Sequence, residues 1–219
     1  MYVSCQLITH IILKIRTVES TIVYIMNLGR PREFNTEQAL EAAMQQFWCA
    51  GYEATSLQDL LDVMNLSKSS LYQAYGSKHE LFLRSIDFYQ KASVNELQQC
   101  LDNCLTSKAF MKRLLEDVIS EATSKKKKGC LLVNTVNELS HRDKAVSKAV
   151  LNGIDNVAGI IKQAIKRGKK EGAIKSTVST DTLVNYIVSN VSGLRTMVKS
   201  GVDKTELTPL VNMIMKTVY

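Results

Sequence analysis

Apolar residues recur with a helical period along almost the whole chain after residue 35. The first such segment has apolar residues at i, i+3, i+4 and i+7, which is the spacing of one helix face: Leu40, Ala43, Met44 and Phe47. Gly51 predicts the end of this helix, because glycine adopts the left-handed conformation that follows many helices. We find no strand-like alternation after Met26 and no internal repeat, so the pattern predicts an all-α protein.

The same periodicity predicts eight further helices. A short second helix begins after a cap at Thr55 or Ser56, and a third covers residues 68–75. The others are a long fourth helix after residue 77, a fifth over 107–124, a sixth over 131–139, a long seventh ending near 169–172, an eighth over 181–199 and a ninth over 206–218.

Residues 1–25 differ from the rest of the chain. Eleven of these residues are Val, Ile or Leu, yet the apolar run is too short for a transmembrane helix and lacks the features of a secretion signal. A strand-like or disordered extension is one interpretation. We favour a natural start at Met26, with residues 1–25 as a non-native upstream extension, and we expect no membrane association.

Charge and cysteine content refine this picture. The net charge is +7, but residues 26–80 carry four basic and seven acidic side chains. If this region binds nucleic acid, it does so through the placement of a few cations rather than through bulk charge. The five cysteines are odd in number and form no CxxC pair, which favours free thiols in a reducing cytoplasm.

The second and third predicted helices form a helix-turn-helix, joined by the tight turn Asn65-Leu66-Ser67. Leu71 and Tyr75 lie four residues apart and face inward. The outward side chains offer donors and acceptors for base edges and phosphates without a block of charge: Lys68, Ser69, Tyr72 and Gln73. A merely structural helix-turn-helix is the alternative.

The expected phosphate contacts lie at helix starts and on flanking cations. Thr55 and Ser56 begin one helix, Lys78 begins another, and Arg30 and Arg32 lie on an arm before the first helix. All the basic residues of this otherwise acidic region therefore fall on one predicted DNA-binding face.

Residues 39–82 resemble the signature of the TetR family across its length. The matching residues are Ala39-Leu40, Phe47, Gly51-Tyr52, Thr55-Ser56, Leu60, Leu66-Ser67-Lys68, Leu71-Tyr72, Tyr75-Gly76-Ser77-Lys78 and Leu81-Phe82. The resemblance implies a homodimeric repressor that binds palindromic double-stranded operator DNA and responds to a small-molecule effector. It also implies base contacts from Lys68, Ser69 and Gln73, and phosphate contacts from Thr55, Ser70, Tyr72 and Lys78. Asn65 stands where the family commonly has glycine, and Met64 replaces a usual small residue.

The implied architecture is a three-helix DNA-binding head over residues 26–80 and a ligand-binding and dimerisation body of about six helices over 81–219. The resemblance pairs the eighth and ninth helices with their twofold mates. The eighth helix carries a wide apolar face, more than one internal contact needs: Leu183, Val184, Ile187, Val188, Val191 and Leu194. A monomer core is the alternative.

A ligand cavity is expected among the fourth to eighth helices, where Tyr89, Phe110, Asn134 and Tyr186 could line it, although such residues more often simply pack. Cys130 lies in a Gly-Cys-Leu segment that resembles a branch of the family with electrophile- and oxidant-sensing repressors. Four lysines precede it and a helix begins after it, and both features favour a reactive thiolate. A buried inert thiol is the alternative interpretation.

Other functions have less support. Cys100 and Cys104 share a helix face and could bind a soft metal, but the chain has only three histidines to complete a ligand set. An enzyme would need a nucleophile–base pair, a metal set or a phosphate loop, and the sequence offers none. We therefore expect no catalytic residue, no cofactor and no metal site. A helical protein-interaction module and a metal-responsive regulator remain alternatives.

Overall fold

A computed structural model describes residues 35–125, 127–139 and 141–219. Within these ranges the chain is helical, as predicted, with no strand. Its α-helices are α1 (Thr36–Ala50), α2 (Leu57–Met64), α3 (Lys68–Tyr75), α4 (Lys78–Asn103), α5 (Ser107–Ser120), α6 (Leu131–Leu139), α7 (Lys144–Lys170), α8 (Thr180–Lys199) and α9 (Lys204–Val218). No helix of the described ranges is long and apolar enough to cross a membrane.

Polar side chains fix where most of these helices begin. Ser67, Ser77, Thr106 and Ser179 each accept a hydrogen bond from the backbone N–H three residues further on. Asp143 caps α7 by accepting from two backbone N–H groups. Each cap satisfies a donor that the first turn of a helix leaves without a partner.

The body is built around α7 and α8, which pack with α5 and α9 on one apolar core, and α6 packs against α7. Val146, Val150, Ile161 and Ile165 form the inner stripe of α7 and are fully buried. Close packing at this depth leaves no room at Gly153, where an added Cβ would lie 2.7 Å from Gln90 Cδ. The core therefore fixes the spacing of the body helices.

The structure corrects three helix predictions. The fifth helix ends at Ser120, and the remaining predicted turn is a short 3₁₀ helix over Glu121–Thr123. The ninth helix begins at Lys204, two residues earlier than predicted, and Pro209 lies in its second turn. In α8, most of the predicted partner-facing stripe belongs to the chain's own core, since Leu183, Val184, Ile187 and Leu194 are buried. Only Val188 and Val191 of that stripe are partly exposed.

The predicted division of the chain remains a prediction. α4 runs without a break through the boundary expected at residues 80 and 81, so one helix connects the two regions. Residues 1–25, together with Arg30 and Arg32, lie outside the described residues. We refer below to α1–α3 as the head and to α5–α9 as the body.

Candidate nucleic-acid interface

The second helix of the head is locked at its start by a reciprocal cap. The Ser56 hydroxyl accepts from Asp59 N–H at 3.1 Å, and the Asp59 carboxylate accepts from Ser56 N–H at 2.7 Å. The side-chain hydrogen bond from Ser56, its backbone hydrogen bond and the nearby Lys78 charge lower the pKa of Asp59. Ser56 is exposed, as its predicted phosphate contact requires.

The turn between α2 and α3 depends on Asn65. This residue has φ 51° and ψ 49° and is the non-glycine residue with positive φ in the described ranges. Its N–H donates to Asp62 O at 3.3 Å, and Leu66 N–H donates to Leu61 O at 3.0 Å. Asparagine tolerates this left-handed conformation, so the tight turn forms although Asn65 stands where the family commonly has glycine.

The third helix has one buried face and one exposed polar face. Leu71, Ala74 and Tyr75 are buried against the rest of the head. The exposed face carries the predicted base readers and one predicted phosphate contact: Lys68, Ser69, Gln73 and Tyr72, the last 44% exposed. Ser70 is half-buried, and its hydroxyl lies 2.9 Å from the capping hydroxyl of Ser67. The helix therefore offers a row of polar groups to a groove.

Arg84 supports the end of α3 and was missed by the sequence analysis. Its Nη1 donates to Ala74 O at 3.2 Å, and its guanidinium lies 5.6 Å from the centre of the Tyr75 ring. The last carbonyl groups of a helix lack intrahelical partners and carry partial negative charge, so they attract a cation. The signal that could have identified Arg84 from the sequence is its position on α4, the helix that follows α3, ten residues after Ala74.

Lys78 lies at the first residue of α4, with its ammonium 4.4 Å from the centre of the Tyr52 ring. The ring orients the cation at the edge of the head, beside the Ser56 cap. Its position at the start of a helix, where backbone N–H groups also point outward, suits an anionic phosphate.

Thr55 does not fit its predicted role. Its side chain is fully buried, and its hydroxyl donates to Gly51 O at 2.6 Å. Thr55 N–H also donates to Tyr52 O at 3.3 Å. Thr55 therefore closes the loop between α1 and α2 and does not present its hydroxyl to a phosphate.

The head is tied to the body through both ends of α6. We call these contacts the junction: Gln45, Trp48, Tyr52 and Glu53 of the head with Lys128, Gly129 and Glu138 of the body. Trp48 Nε1 donates to Gly129 O at 3.2 Å, and Lys128 Nζ donates to Gln45. At the other end, Glu138 accepts from Tyr52 N–H at 3.1 Å and from Glu53 N–H at 2.8 Å. The orientation of the head therefore depends on the position of α6.

The predicted sensor residues divide into two groups. Tyr89, Cys130 and Asn134 come together beside the junction: Tyr89 Oη donates to Cys130 Sγ at 3.8 Å, and Asn134 Nδ2 donates to Lys128 O at 3.0 Å. Phe110 is instead fully buried in the body core, and Tyr186 packs against the same core. Phe110 and Tyr186 therefore lie apart from the group formed by Tyr89, Cys130 and Asn134.

A cleft of about 300 Å³ lies between the head and the body rather than inside the body as predicted. Asn134, Asn137, Glu138 and Lys199 supply its polar walls, and Phe47 and Trp48 are among its aromatic ones. Neither Phe110 nor Tyr186 lines this cleft.

These features define a helix-turn-helix DNA-binding regulator: a capped helix pair, an exposed polar reading helix and a helical body joined to them. Comparisons agree along most of the chain. The profile of "Bacterial regulatory proteins, tetR family" matches residues 39–84, and that of "Tetracyclin repressor-like, C-terminal domain" matches residues 108–213. The chain belongs to the TetR family, and its matched families and relatives are transcription regulators, not enzymes.

The chain matches its relatives and several solved structures over nearly the full length of those proteins. The chain is 25% identical over 186 residues to the uncharacterised regulator YezE of Bacillus subtilis, covering 82% of this chain and 94% of that protein. It is 23% identical over 191 residues to the repressor ComR of Escherichia coli, covering 86% and 91%. A cysteine variant of the regulator CifR, complexed with 26-bp operator DNA, superposes with a TM-score of 0.76 at 26% identity, covering 85% and 98%. Reduced NemR of Escherichia coli shares the fold, with a TM-score of 0.77 at 16% identity and the same coverage.

Proposed function

We propose that this chain is a cytoplasmic repressor that binds a palindromic operator as a homodimer and leaves it when an effector binds. The exposed polar face of α3, held from behind by Arg84, is the observation that carries the proposal. Two such helices read half-sites about 34 Å apart when a twofold dimer presents them. The complex of CifR with operator DNA and the repressor ComR support the same role.

The dimer contact would use the outer faces of α8 and α9. Val188 and Val191 are partly exposed on α8, and Met213 on α9 is 65% exposed. An added Cβ at Gly193 would meet nothing within 4 Å, so a partner helix can approach closely at that point. Proteins of this family typically form dimers, and these exposed residues could form the dimer contact.

Titration of fluorescent DNA from upstream of the gene tests the reading helix. Gln73→Ala should cost about 1–3 kcal/mol and relax selectivity at one base pair, because a base contact is lost. Lys78→Ala should weaken binding to all sequences and reduce the salt slope by about 1. Gln99→Ala, which removes an exposed glutamine near the end of α4 and outside the head, is the matched control.

Two results of this titration would count against the proposal. One is equal loss of affinity in the Gln99→Ala control, and the other is binding that ignores DNA sequence at moderate salt. Protein binding that survives the loss of both Gln73 and Lys78, with no DNA binding in the parent chain, would favour the interaction-module alternative.

A thiol-based release mechanism is a second proposal, favoured by the surroundings of Cys130. Tyr89 is 8% exposed; burial and then the neighbouring Cys130 raise its pKa. Burial lowers the pKa of Arg195, but the charges of Tyr89, Cys130 and Glu121 raise it above its ordinary value. Arg195 Nη1 also lies 2.9 Å from Glu121 Oε1, so a fixed cation stands near the thiol.

A modified Cys130 would disturb the junction. Gly129, its chain neighbour, accepts the Trp48 hydrogen bond, and the Trp48 and Tyr89 rings lie edge to face with centroids 4.9 Å apart. A group added to the sulfur would displace Tyr89 and then Trp48. The head would turn away from its half-site.

N-ethylmaleimide tests this mechanism, because its double bond adds to a thiol without a leaving group. DNA release should occur in the parent chain and in Cys49→Ser, which removes an exposed cysteine from α1, but not in Cys130→Ser. Release that persists in Cys130→Ser would overturn the thiol mechanism and leave the repressor intact. Binding unaffected by the reagent in the parent chain would direct the search to non-covalent effectors.

A further inference from the structure

Two thiols lie together at the end of α4, far along the chain from the reading helix. Cys100 and Cys104 are four residues apart, and Cys104 N–H donates to Cys100 O at 3.1 Å. This bond is the last turn of α4, because Cys104 itself has φ −82° and ψ 129° and leaves the helix. Residues at this spacing share a helix face.

Both thiols are half-buried, and both contact the edge of the body core. Burial raises the pKa of Cys100, and the charge and hydrogen bonding of the Cys104 thiol raise it further. Arg113 and Asp117, one turn apart on α5, also act on Cys100 with opposite signs and lie 3.8 Å from each other. The two sulfurs therefore form one cluster with a polar wall.

This spacing suits a bridging atom better than a disulfide. Helical residues one turn apart have Cβ atoms about 5–6 Å apart, whereas a disulfide holds them at about 3.5–4.5 Å. Both cysteines are free. An inserted atom bonded to both sulfurs spans the gap without moving the backbone.

The number and type of available ligands determine which kind of atom could bridge the two sulfurs. No group of three or more His, Cys, Asp or Glu in the described part of the chain could hold a metal, so four protein ligands for zinc are missing here. Two soft thiols suffice for a trivalent metalloid that brings its third substituent with it. A raised pKa also keeps Cys100 protonated at neutral pH, which slows alkylation by electrophiles that react with one thiolate.

We propose that Cys100 and Cys104 form a chelating site for trivalent thiophilic metalloids such as organoarsenicals. With phenylarsine oxide, two S–H bonds break and two As–S bonds form. The arsenic-bound oxygen leaves as water with both thiol protons, and no oxidation state changes. The site is independent of the proposed operator binding.

The test uses the full chain with Cys5→Ser, Cys49→Ser and Cys130→Ser, so that only Cys100 and Cys104 remain. Titration with phenylarsine oxide is followed by intact mass spectrometry in the absence of DNA. We expect one adduct per chain, with the mass of phenylarsenic less two hydrogens. The adduct should resist excess 2-mercaptoethanol and should be removed by 2,3-dimercaptopropanol, since only a dithiol competes with a chelate.

Variants separate chelation from single-thiol attachment. Removing either thiol, as Cys100→Ser or Cys104→Ser, should lower the apparent affinity about 10²–10⁴-fold, the usual gain from a second linked contact. Asp102→Cys combined with Cys104→Ser keeps two thiols but places them two residues apart, on different faces. It should bind as weakly as the single variants.

Circular dichroism of each variant establishes that α4 remains helical. The proposal is overturned if no adduct forms, if 2-mercaptoethanol removes the adduct from the two-thiol chain, or if the Asp102→Cys variant binds as tightly as the parent. Failure of DNA binding would leave these measurements unchanged, so the two proposals can fail separately.

Discussion

Glu138 offers the sharpest test of how the body holds the head. Its two carboxylate oxygens accept separately from Tyr52 N–H and Glu53 N–H, at 3.1 and 2.8 Å. A hydrogen bond to a charged group contributes about 1.5–3 kcal/mol; the Glu53 bond is exposed and should contribute less than this range, and the half-buried Tyr52 bond should lie near its lower limit. Loss of both bonds in Glu138→Ala should therefore loosen this loop by about 2–3 kcal/mol.

Amide hydrogen exchange measures the effect where it occurs. Since 1.4 kcal/mol is a factor of ten, the Tyr52 and Glu53 amides should exchange about 30- to 100-fold faster in Glu138→Ala. Glu138→Gln keeps one acceptor but turns an N–H₂ group towards the second donor, so its exchange rates should fall between those of the parent and the alanine variant.

Asn137→Ala is the matched control, because Asn137 is the exposed neighbour of Glu138 on α6. Its exchange rates at Tyr52 and Glu53 should equal those of the parent chain. Unchanged exchange at these amides in Glu138→Ala, with helix content preserved, would refute the reasoning that α6 holds the head through this carboxylate.

Further predictions concern packing, the turn and acid stability. Gly153→Ala should destabilise the chain by about 1–3 kcal/mol through overpacking against Gln90, whereas Gly159→Ala, whose Cβ meets nothing within 4 Å, should stabilise by up to about 1 kcal/mol; urea denaturation compares them. Asn65→Val should unfold at lower urea than Asn65→Gly, because a β-branched residue opposes positive φ. The hydrogen bond from Val146 N–H is the largest of the effects that lower the pKa of Asp143. The Asp143 carboxylate therefore contributes to stability above the ordinary carboxyl pKa, and this contribution is lost as the pH falls through the lower pKa of the folded state. Asp143→Asn should flatten the acid limb of a stability–pH curve.

The local features of the head and body could be predicted from sequence. The bounds of α6 and the tight turn at Asn65 were both confirmed, because periodicity and backbone preference act over a few residues. The full burial of Thr55 and of Phe110 could not be predicted, since burial depends on residues that pack from elsewhere. A local pattern could not show that a threonine at a helix start would turn inward to a carbonyl four residues earlier.

The junction lay beyond any such pattern. Glu138 meets Tyr52 across 86 positions, and Trp48 meets Gly129 across 81. Neither glutamate nor tryptophan belongs to a motif at these positions, and the pairing exists only once α6 is packed between the head and α7. The residues proposed to contact DNA are thus local in sequence, and the residues proposed to control that contact are not.

The place of Trp48 gives the molecule an optical readout of its own. It is the single tryptophan of the chain. The Lys128 ammonium lies 5.0 Å from its ring centre, and its indole N–H is hydrogen-bonded to Gly129. A nearby cation and a hydrogen bond both shift the emission of an indole, so a turn of the head relative to α6 changes the colour and intensity of the fluorescence. If release from the operator turns the head as proposed, it can therefore be followed in real time on the unlabelled protein.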